Sequence, residues 1–202
     1  IHPLFTDQVR SWCSECGDDV IPVNGMCSKC QNFVLEYVHV VNGQADKLFP
    51  VIFAIDPHPR KPHMMSWTQV NPNDDLYQVA ETQVLGGPED VREAVAGIEA
   101  AFGWTQIRRL IDPNMGRSPS SVIRGRTWQD EFEAVGLRCD LADDSDVGRA
   151  SLNEYLKPDK NTGVPRWVCD SRCVTTIKQL KRYSWGDFRH AAEHELKQIP
   201  RA

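Results

Sequence analysis

The sequence lacks a membrane-length apolar run. Nothing in its 202 residues approaches the roughly 20 consecutive apolar residues that a bilayer-spanning helix needs. The opening Ile1-His2-Pro3-Leu4-Phe5 has neither the basic start nor the apolar stretch of a secretory signal. These absences point to a cytosolic chain with no membrane partner. Internal repeats and low-complexity tracts are also missing, which excludes solenoids and linker-like segments. A hydrophobic fraction of 41% and a charged fraction of 25% exclude disordered and collagen-like classes. Positive charge is scarce: 23 Lys and Arg stand against 28 Asp and Glu, a net charge of −5. Phosphate neutralisation requires cations, so contact with nucleic acid has to be local. Basic residues cluster at Arg108-Arg109, at Arg117 with Arg124 and Arg126, and at Lys178 with Lys181-Arg182, although such clusters are more often solvated faces.

What the sequence does have begins with cysteine. Two Cys-x-x-Cys knuckles, Cys13/Cys16 and Cys27/Cys30, can direct four thiolates at one tetrahedral site, which suits zinc. A pair of disulfides, disfavoured in a reducing cytosol, and an iron site are the competing readings. A closed sulfur shell leaves no open position for water, so the expected role is structural. Cys139, Cys169 and Cys173 lie apart and read as buried, incidental thiols. Residues 1–47 form this module and its linker, and 48–202 the main domain.

From residue 50 the patterning predicts strands at 50–56, 63–70 and 76–84, the first a nearly continuous apolar run expected to be buried on both faces. Pro88 at a helix start, acidic Glu89 and Asp90, and Val91, Val95, Ile98 and Phe102 on one face predict a helix over 88–102. A strand at 105–112, a helix at 127–135 closed by Gly136, a strand at 137–141, a helix at 146–156 capped by Asp146, a strand at 166–170 and helices over much of 171–198 follow. Three meander strands, helix, strand, helix, strand, helices: this order resembles the RNase H-like fold, an α/β mixed sheet with helices on both faces.

Two strands end alike, in Ala-Ile-Asp56-Pro and Leu-Ile-Asp112-Pro. If the first and fourth strands pair in parallel, both carboxylates reach one edge of the sheet. Hard divalent cations such as Mg²⁺ or Mn²⁺ bind carboxylate oxygens, and two ions together can drive phosphodiester cleavage. The bland reading is that Asp-Pro merely initiates a turn. His58, Arg60, Lys61 and His63 follow Asp56 and could approach phosphate, as could Asn114, Arg117 and Ser118 after Asp112. Asp140, Asp143, Asp144 and Asp146 form an acidic run after the fifth strand.

These residues resemble the C-terminal nuclease domain of phage terminase large subunits, the DNA-packaging motor. The resemblance rests on Phe-Ala-Ile-Asp-Pro-His-Pro-Arg-Lys-Pro-His (53–63) with Trp67, on Arg-Leu-Ile-Asp-Pro-Asn-Met-Gly-Arg-Ser-Pro-Ser-Ser (109–121), on Trp-Gln-Asp-Glu-Phe (128–132), and on Leu-Ala-Asp-Asp-Ser-Asp-Val-Gly-Arg (141–149). Asn153-Glu-Tyr-Leu-Lys-Pro158 and Gln179-Leu-Lys-Arg-Tyr183 extend it to roughly residues 48–199. It implies two-metal cleavage of concatemeric double-stranded DNA in the cytoplasm of an infected bacterium, with catalytic Asp56 and Asp112. DNA would be met by Arg60, Lys61, Arg117, Arg124, Arg126, Lys181 and Arg182. The implied partners are the ATPase domain of the same large subunit, the small terminase subunit and the portal. No Gly-x-x-x-x-Gly-Lys-Ser/Thr loop occurs, so ATP hydrolysis is not expected of this chain, which reads as an excised domain. The resemblance also implies a third acid after a segment like 197–201, with Asp187, Glu193 and Glu195 as substitutes. A resolvase- or transposase-like nuclease and a non-enzymatic zinc-ribbon adaptor of a packaging complex are the alternatives.

Overall fold

The computed structural model describes residues 5–120, 124–143, 145–160, 162–182, 184–186 and 199–201. The cysteine module is built from short strands: β1 (Arg10–Cys13), β2 (Asp18–Asp19), β3 (Pro22–Val23), β4 (Met26–Cys27) and β5 (Leu35–Tyr37). β1 lies between β2 and β5, both antiparallel to it, while β3 and β4 pair as a separate hairpin. Gly17 and Gly25 take positive φ in the turns, where a side chain would be strained. The next strand, β6 (Val40–Val41), leaves this module and becomes an edge of the main sheet.

That sheet has seven strands. β7 (Val51–Asp56), β8 (His63–Val70) and β9 (Leu76–Val84) form the expected antiparallel meander. After α1 (Pro88–Phe102), β10 (Ile107–Ile111) returns parallel to β7, in the register Ile111 beside Ile55. Next come α2 (Pro113–Arg117), α3 (Trp128–Ala134), β11 (Asp140–Leu141), α4 (Asp146–Leu156), β12 (Trp167–Asp170) and α5 (Val174–Arg182). The spatial order is β11-β10-β7-β8-β9-β12-β6, with β11 parallel to β10 and β12 parallel to both β9 and β6. A parallel pair needs a crossover, and α1 supplies it between β9 and β10.

One face of β7 is sealed. Val51, Phe53 and Ile55 pack with Met65 and Trp67 beneath Val91 and Val95 of α1 and Trp128 and Phe132 of α3. Each large side chain so buried contributes about 1.5–3 kcal/mol. The other face is open, with Ala54 and Asp56 exposed, so the apolar run at 50–56 does not mark a strand buried on both sides. Further along the sheet α5 covers that face over β9. There Gln78 and Gln83 donate to Thr176 and Thr175, and the Glu81 carboxylate accepts from the backbone of both threonines. Residues 78 and 81 share a face only because a register shift at Trp67/Thr68 inserts an extra residue in β9. A second apolar cluster, Phe5, Leu156, Trp167, Cys169 and Cys173, packs beneath α5 residues Ile177 and Leu180. His39 locks the module to it, accepting from Thr6 N at Nδ1 (3.1 Å) and meeting the Leu156 carbonyl through Nε2 (2.8 Å).

Several boundaries depart from the sequence reading. Gly136 does close α3: Leu137 N donates to Phe132 O and Gly136 N to Glu133 O, with φ of 84° at the glycine. This turn takes up the start of the predicted 137–141 strand and leaves β11 two residues long. Residues 113–117 form a short helix, because Asp112 accepts from Met115 N and starts it. Ser145, not Asp146, is the N-cap of α4, and Asp146 is its first residue. Helix does not cover 184–186: β13 (Ser184–Gly186) pairs with β14 (Ile199–Arg201).

Candidate metal and nucleic-acid site

The four knuckle cysteines converge. Their sulfurs all lie within 4.8 Å of one another, with Cys13–Cys30 at 3.4 Å and Cys16–Cys27 at 3.7 Å. A tetrahedral shell with metal–sulfur bonds of about 2.3 Å has sulfur–sulfur edges of about 3.8 Å, so the donor set fits zinc in size and chemistry. All the cysteines are free thiols. Lys29 N donates to Cys27 Sγ at 3.3 Å. Against the desolvation of its position, the backbone donors of Cys30 and Lys29 hold the Cys27 thiol down at about 7, whereas hydrogen bonding to Cys30 and burial push the Cys16 thiol up to about 12. Cys139, Cys169 and Cys173 are buried, and burial pushes their thiols up, Cys139 and Cys173 to about 12.

Asp56 is the last residue of β7, and Asp112 follows β10 directly. Asp112 N donates to Ile55 O at 3.0 Å, which extends the parallel ladder to the residues carrying the carboxylates. The Asp56 carboxyl is raised above its usual range, first by desolvation and then by the negative charge of Asp112. Among the described residues its carboxylate has no hydrogen-bond or ion-pair partner. Asp112 caps α2: Met115 N donates to its Oδ1 at 2.7 Å, leaving the second oxygen uncommitted among the described residues. The turn-initiating role of Asp-Pro is therefore real at Asp112, and it is compatible with a ligand role for the remaining oxygen. β11 ends at the same edge, with Ala142 N donating to Ile111 O, so exposed Asp143 is next along. Asp143 accepts from Ser145 N. Among the described residues, the four cysteines are the one group of three or more donors close enough to share an ion. Asp187, Glu193 and Glu195 lie outside the described residues, as do Asp144 and the side chain of Asp146.

The expected cations divide into two sets. Arg60 and Lys61 sit in the loop leaving Asp56, and Arg117, Arg124 and Arg126 in and after α2; all are exposed. Lys181 and Arg182 end α5 elsewhere, and Lys181 pairs with Asp7 at 2.7 Å in the N-terminal segment. β8 and β9 separate the β12–α5 unit from β7. Arg109 is not available for phosphate, because it pairs with Glu99, which also accepts from Trp67 Nε1. His63 is no surface residue either. It is buried edge-on against Trp128 and Phe132, and burial lowers its pKa. Sequence reasoning missed the contact between His63 and the loop, since a histidine in a proline-rich stretch carries no mark of burial.

No protein-family model and no curated protein matches the sequence. Solved structures do match in fold. The chain is similar to the large terminase of a thermophilic bacteriophage in complex with ATP-gamma-S, with TM-score 0.54 and 13% identity over 80% of this chain and 38% of that one. It is similar to the phage P22 large terminase nuclease domain, with TM-score 0.51 and 10% identity over 71% and 73% of the two chains. The large terminase nuclease of the thermophilic phage G20c gives TM-score 0.50 and 14% identity over 79% and 75%. The chain spans little more than a third of the first of these proteins.

Proposed function

With the fold of phage large-terminase nuclease domains as the premise, we propose that this chain is a metal-dependent endonuclease domain that cuts concatemeric double-stranded phage DNA during packaging. The observation that carries the proposal is the parallel pairing of β7 with β10, which puts Asp56 and Asp112 side by side at one sheet edge. Their donor chemistry fits Mg²⁺ or Mn²⁺: two hard carboxylates, of which Asp56 is raised first by desolvation and then by the charge of Asp112, a repulsion that a divalent cation would relieve. Two ions held there would supply an activated water and stabilise the leaving oxygen. Asp56, open to solvent on the uncovered face of β7, binds. Asp112 is oriented by its bond to Met115 and binds through its second oxygen. Asp187, Glu193 and Glu195 are the candidates for a third ligand. Arg60 and Lys61 in the loop after Asp56, and Arg117, Arg124 and Arg126 in and after α2, neutralise the phosphate backbone, with Lys181 and Arg182 as a more distant contact.

Zinc on Cys13, Cys16, Cys27 and Cys30 is structural in this proposal and holds the front module together. The partners are the ATPase domain of the same large subunit, the small terminase subunit and the portal, in the cytoplasm of the infected bacterial host.

The test is cleavage of linear and supercoiled duplex with Mn²⁺, comparing the unmodified chain with Asp56→Asn and Asp112→Asn. Cleavage is expected from the first and not from the variants; normal cutting by either variant overturns the assignment. Much faster cutting of branched DNA transfers the site to a resolvase- or transposase-like reaction. One tight zinc with no weaker Mn²⁺ site leaves a non-enzymatic zinc-ribbon adaptor.

A further inference from the structure

The loop 57–62, between Asp56 and β8, has an unusual donor inventory. Pro57, Pro59 and Pro62 carry no N–H. Its remaining backbone donors all go to imidazole nitrogen. His58 N donates to His63 Nδ1 at 3.1 Å, and Arg60 N and Lys61 N both donate to His58 Nδ1 at 3.0 Å. The chain of bonds is anchored in the core, where His63 is 1% exposed, packs on Trp128 and Phe132, and reaches the Gly86 carbonyl through Nε2 at 3.2 Å. An Nδ1 that accepts carries no proton, so each imidazole is an acceptor toward the loop and His63 donates from Nε2 to Gly86. Two histidines and three prolines thus fix a six-residue loop whose exposed side chains include two cations, Arg60 and Lys61, a few residues beyond Asp56.

We propose that His58 and His63 are positioning residues that hold Arg60 and Lys61 as a preformed clamp on the phosphate backbone of DNA entering the Asp56–Asp112 edge. The proposal rests on the nuclease reading for its ligand but not on cleavage. Most loops order their cations on binding, at an entropic cost per immobilised side chain. Here the backbone beneath the cations is bonded beforehand to the half-buried His58 ring, and the His58 backbone in turn to the His63 ring held in the core. Asparagine can imitate the clamp at position 58, since its Oδ1 lies where Nδ1 does and accepts in the same way.

The experiment measures binding of the full chain to a labelled duplex by fluorescence anisotropy, without added divalent ion, over a series of salt concentrations. Arg60→Ala/Lys61→Ala is expected to weaken binding about tenfold and to reduce the salt slope by about 2, near 0.9 for each phosphate no longer neutralised. His58→Ala is expected to weaken binding about fivefold in the unmodified background and to add nothing in the Arg60→Ala/Lys61→Ala background, because it acts through those cations. His58→Asn restores binding. Circular dichroism reports whether each variant folds; His58 is only half-buried, which keeps this arm open if His63 variants fail to fold. The proposal is overturned if the unmodified chain binds no duplex, if His58→Ala binds normally, if its defect persists without the two cations, or if His58→Asn is as weak as His58→Ala. Tight binding with the expected pattern but no Mn²⁺-dependent cleavage would leave the clamp standing and remove the nuclease reading alone.

Discussion

The backbone N–H of Asp112 donates to the carbonyl of Ile55 at 3.0 Å, so the ladder joining β10 to β7 runs up to the carboxylates themselves. Asp112 then turns its Oδ1 back on Met115 N. One side chain both starts a helix and faces its neighbour's charge.

These two roles of Asp112 separate by substitution. Asparagine caps a helix about as well as aspartate, whereas alanine at an N-cap costs about 1 kcal/mol. Asp112→Asn is therefore expected to melt within a degree or two of the unmodified chain, and Asp112→Ala several degrees lower, by calorimetry. Both lose Mn²⁺-dependent cleavage by about a hundredfold or more, several kcal/mol of transition-state stabilisation at about 1.36 kcal/mol per tenfold. Asp56→Asn should also lose cleavage while raising the melting temperature of the metal-free chain slightly, because it removes a negative charge that faces the charge of Asp112.

Asp170 makes a pH-dependent contribution to stability. This buried carboxylate accepts from Tyr77 Oη at 2.7 Å and from Arg172 Nε at 2.6 Å, and the Arg172 bonds first, then Tyr77, hold it well below the usual carboxylate range. A depressed folded-state pKa stabilises fully above the unfolded value of about 3.9 and loses that contribution as pH falls towards the folded value. Asp170→Asn is expected to cost about 1–3 kcal/mol near neutral pH in urea unfolding, discounted for the exposure of Arg172. The gap between variant and unmodified chain should close as pH falls below about 4. A gap independent of pH would contradict the assignment.

Glu99 accepts from both Trp67 Nε1 and Arg109 Nη2, and its side chain is 11% exposed. Removing it strands an indole N–H within the main core and a guanidinium whose Nε already lacks a partner among the described residues. Glu99→Ala should destabilise by about 3 kcal/mol. Glu99→Gln, which keeps an acceptor, should cost clearly less in the same denaturation experiment.

The cysteine module should carry one zinc per chain, measured by atomic absorption and by release to a colorimetric chelator. Trp12 is next to Cys13 and buried, so removing the metal should shift tryptophan emission to the red. Cys27→Ser should lose the metal and show the shifted emission from the outset. Full zinc content in that variant would place the metal elsewhere.

Much of the fold was legible because its signals are local. The period of Val91, Val95, Ile98 and Phe102 and the Gly136 stop are written in a few adjacent residues, and the order of elements implied the strand arrangement. The open face of β7 was not legible, because an apolar run records which residues tolerate burial and not what covers them. Arg109 looked like half of a basic pair; only the tertiary fold brings Glu99 beneath it. β6 pairs with a strand far away in sequence, a contact that two valines cannot announce. At the candidate site, the paired Ile-Asp-Pro strand ends pointed to Asp56 and Asp112 lying together, which the parallel pairing of β7 and β10 shows. The helix start at Asp112 and the His58–His63 bonds are backbone contacts that required the folded loop.

The central claim is that Asp56 and Asp112 share divalent metal, and anomalous scattering from Mn²⁺-soaked crystals of the full chain tests it most directly. The expected result is a manganese peak between β7 and β10 with carboxylate oxygens of both residues at about 2.1 Å, and a separate zinc peak at the four cysteines. Zinc at the cysteines with no manganese at that edge, or manganese held without Asp56, would contradict it.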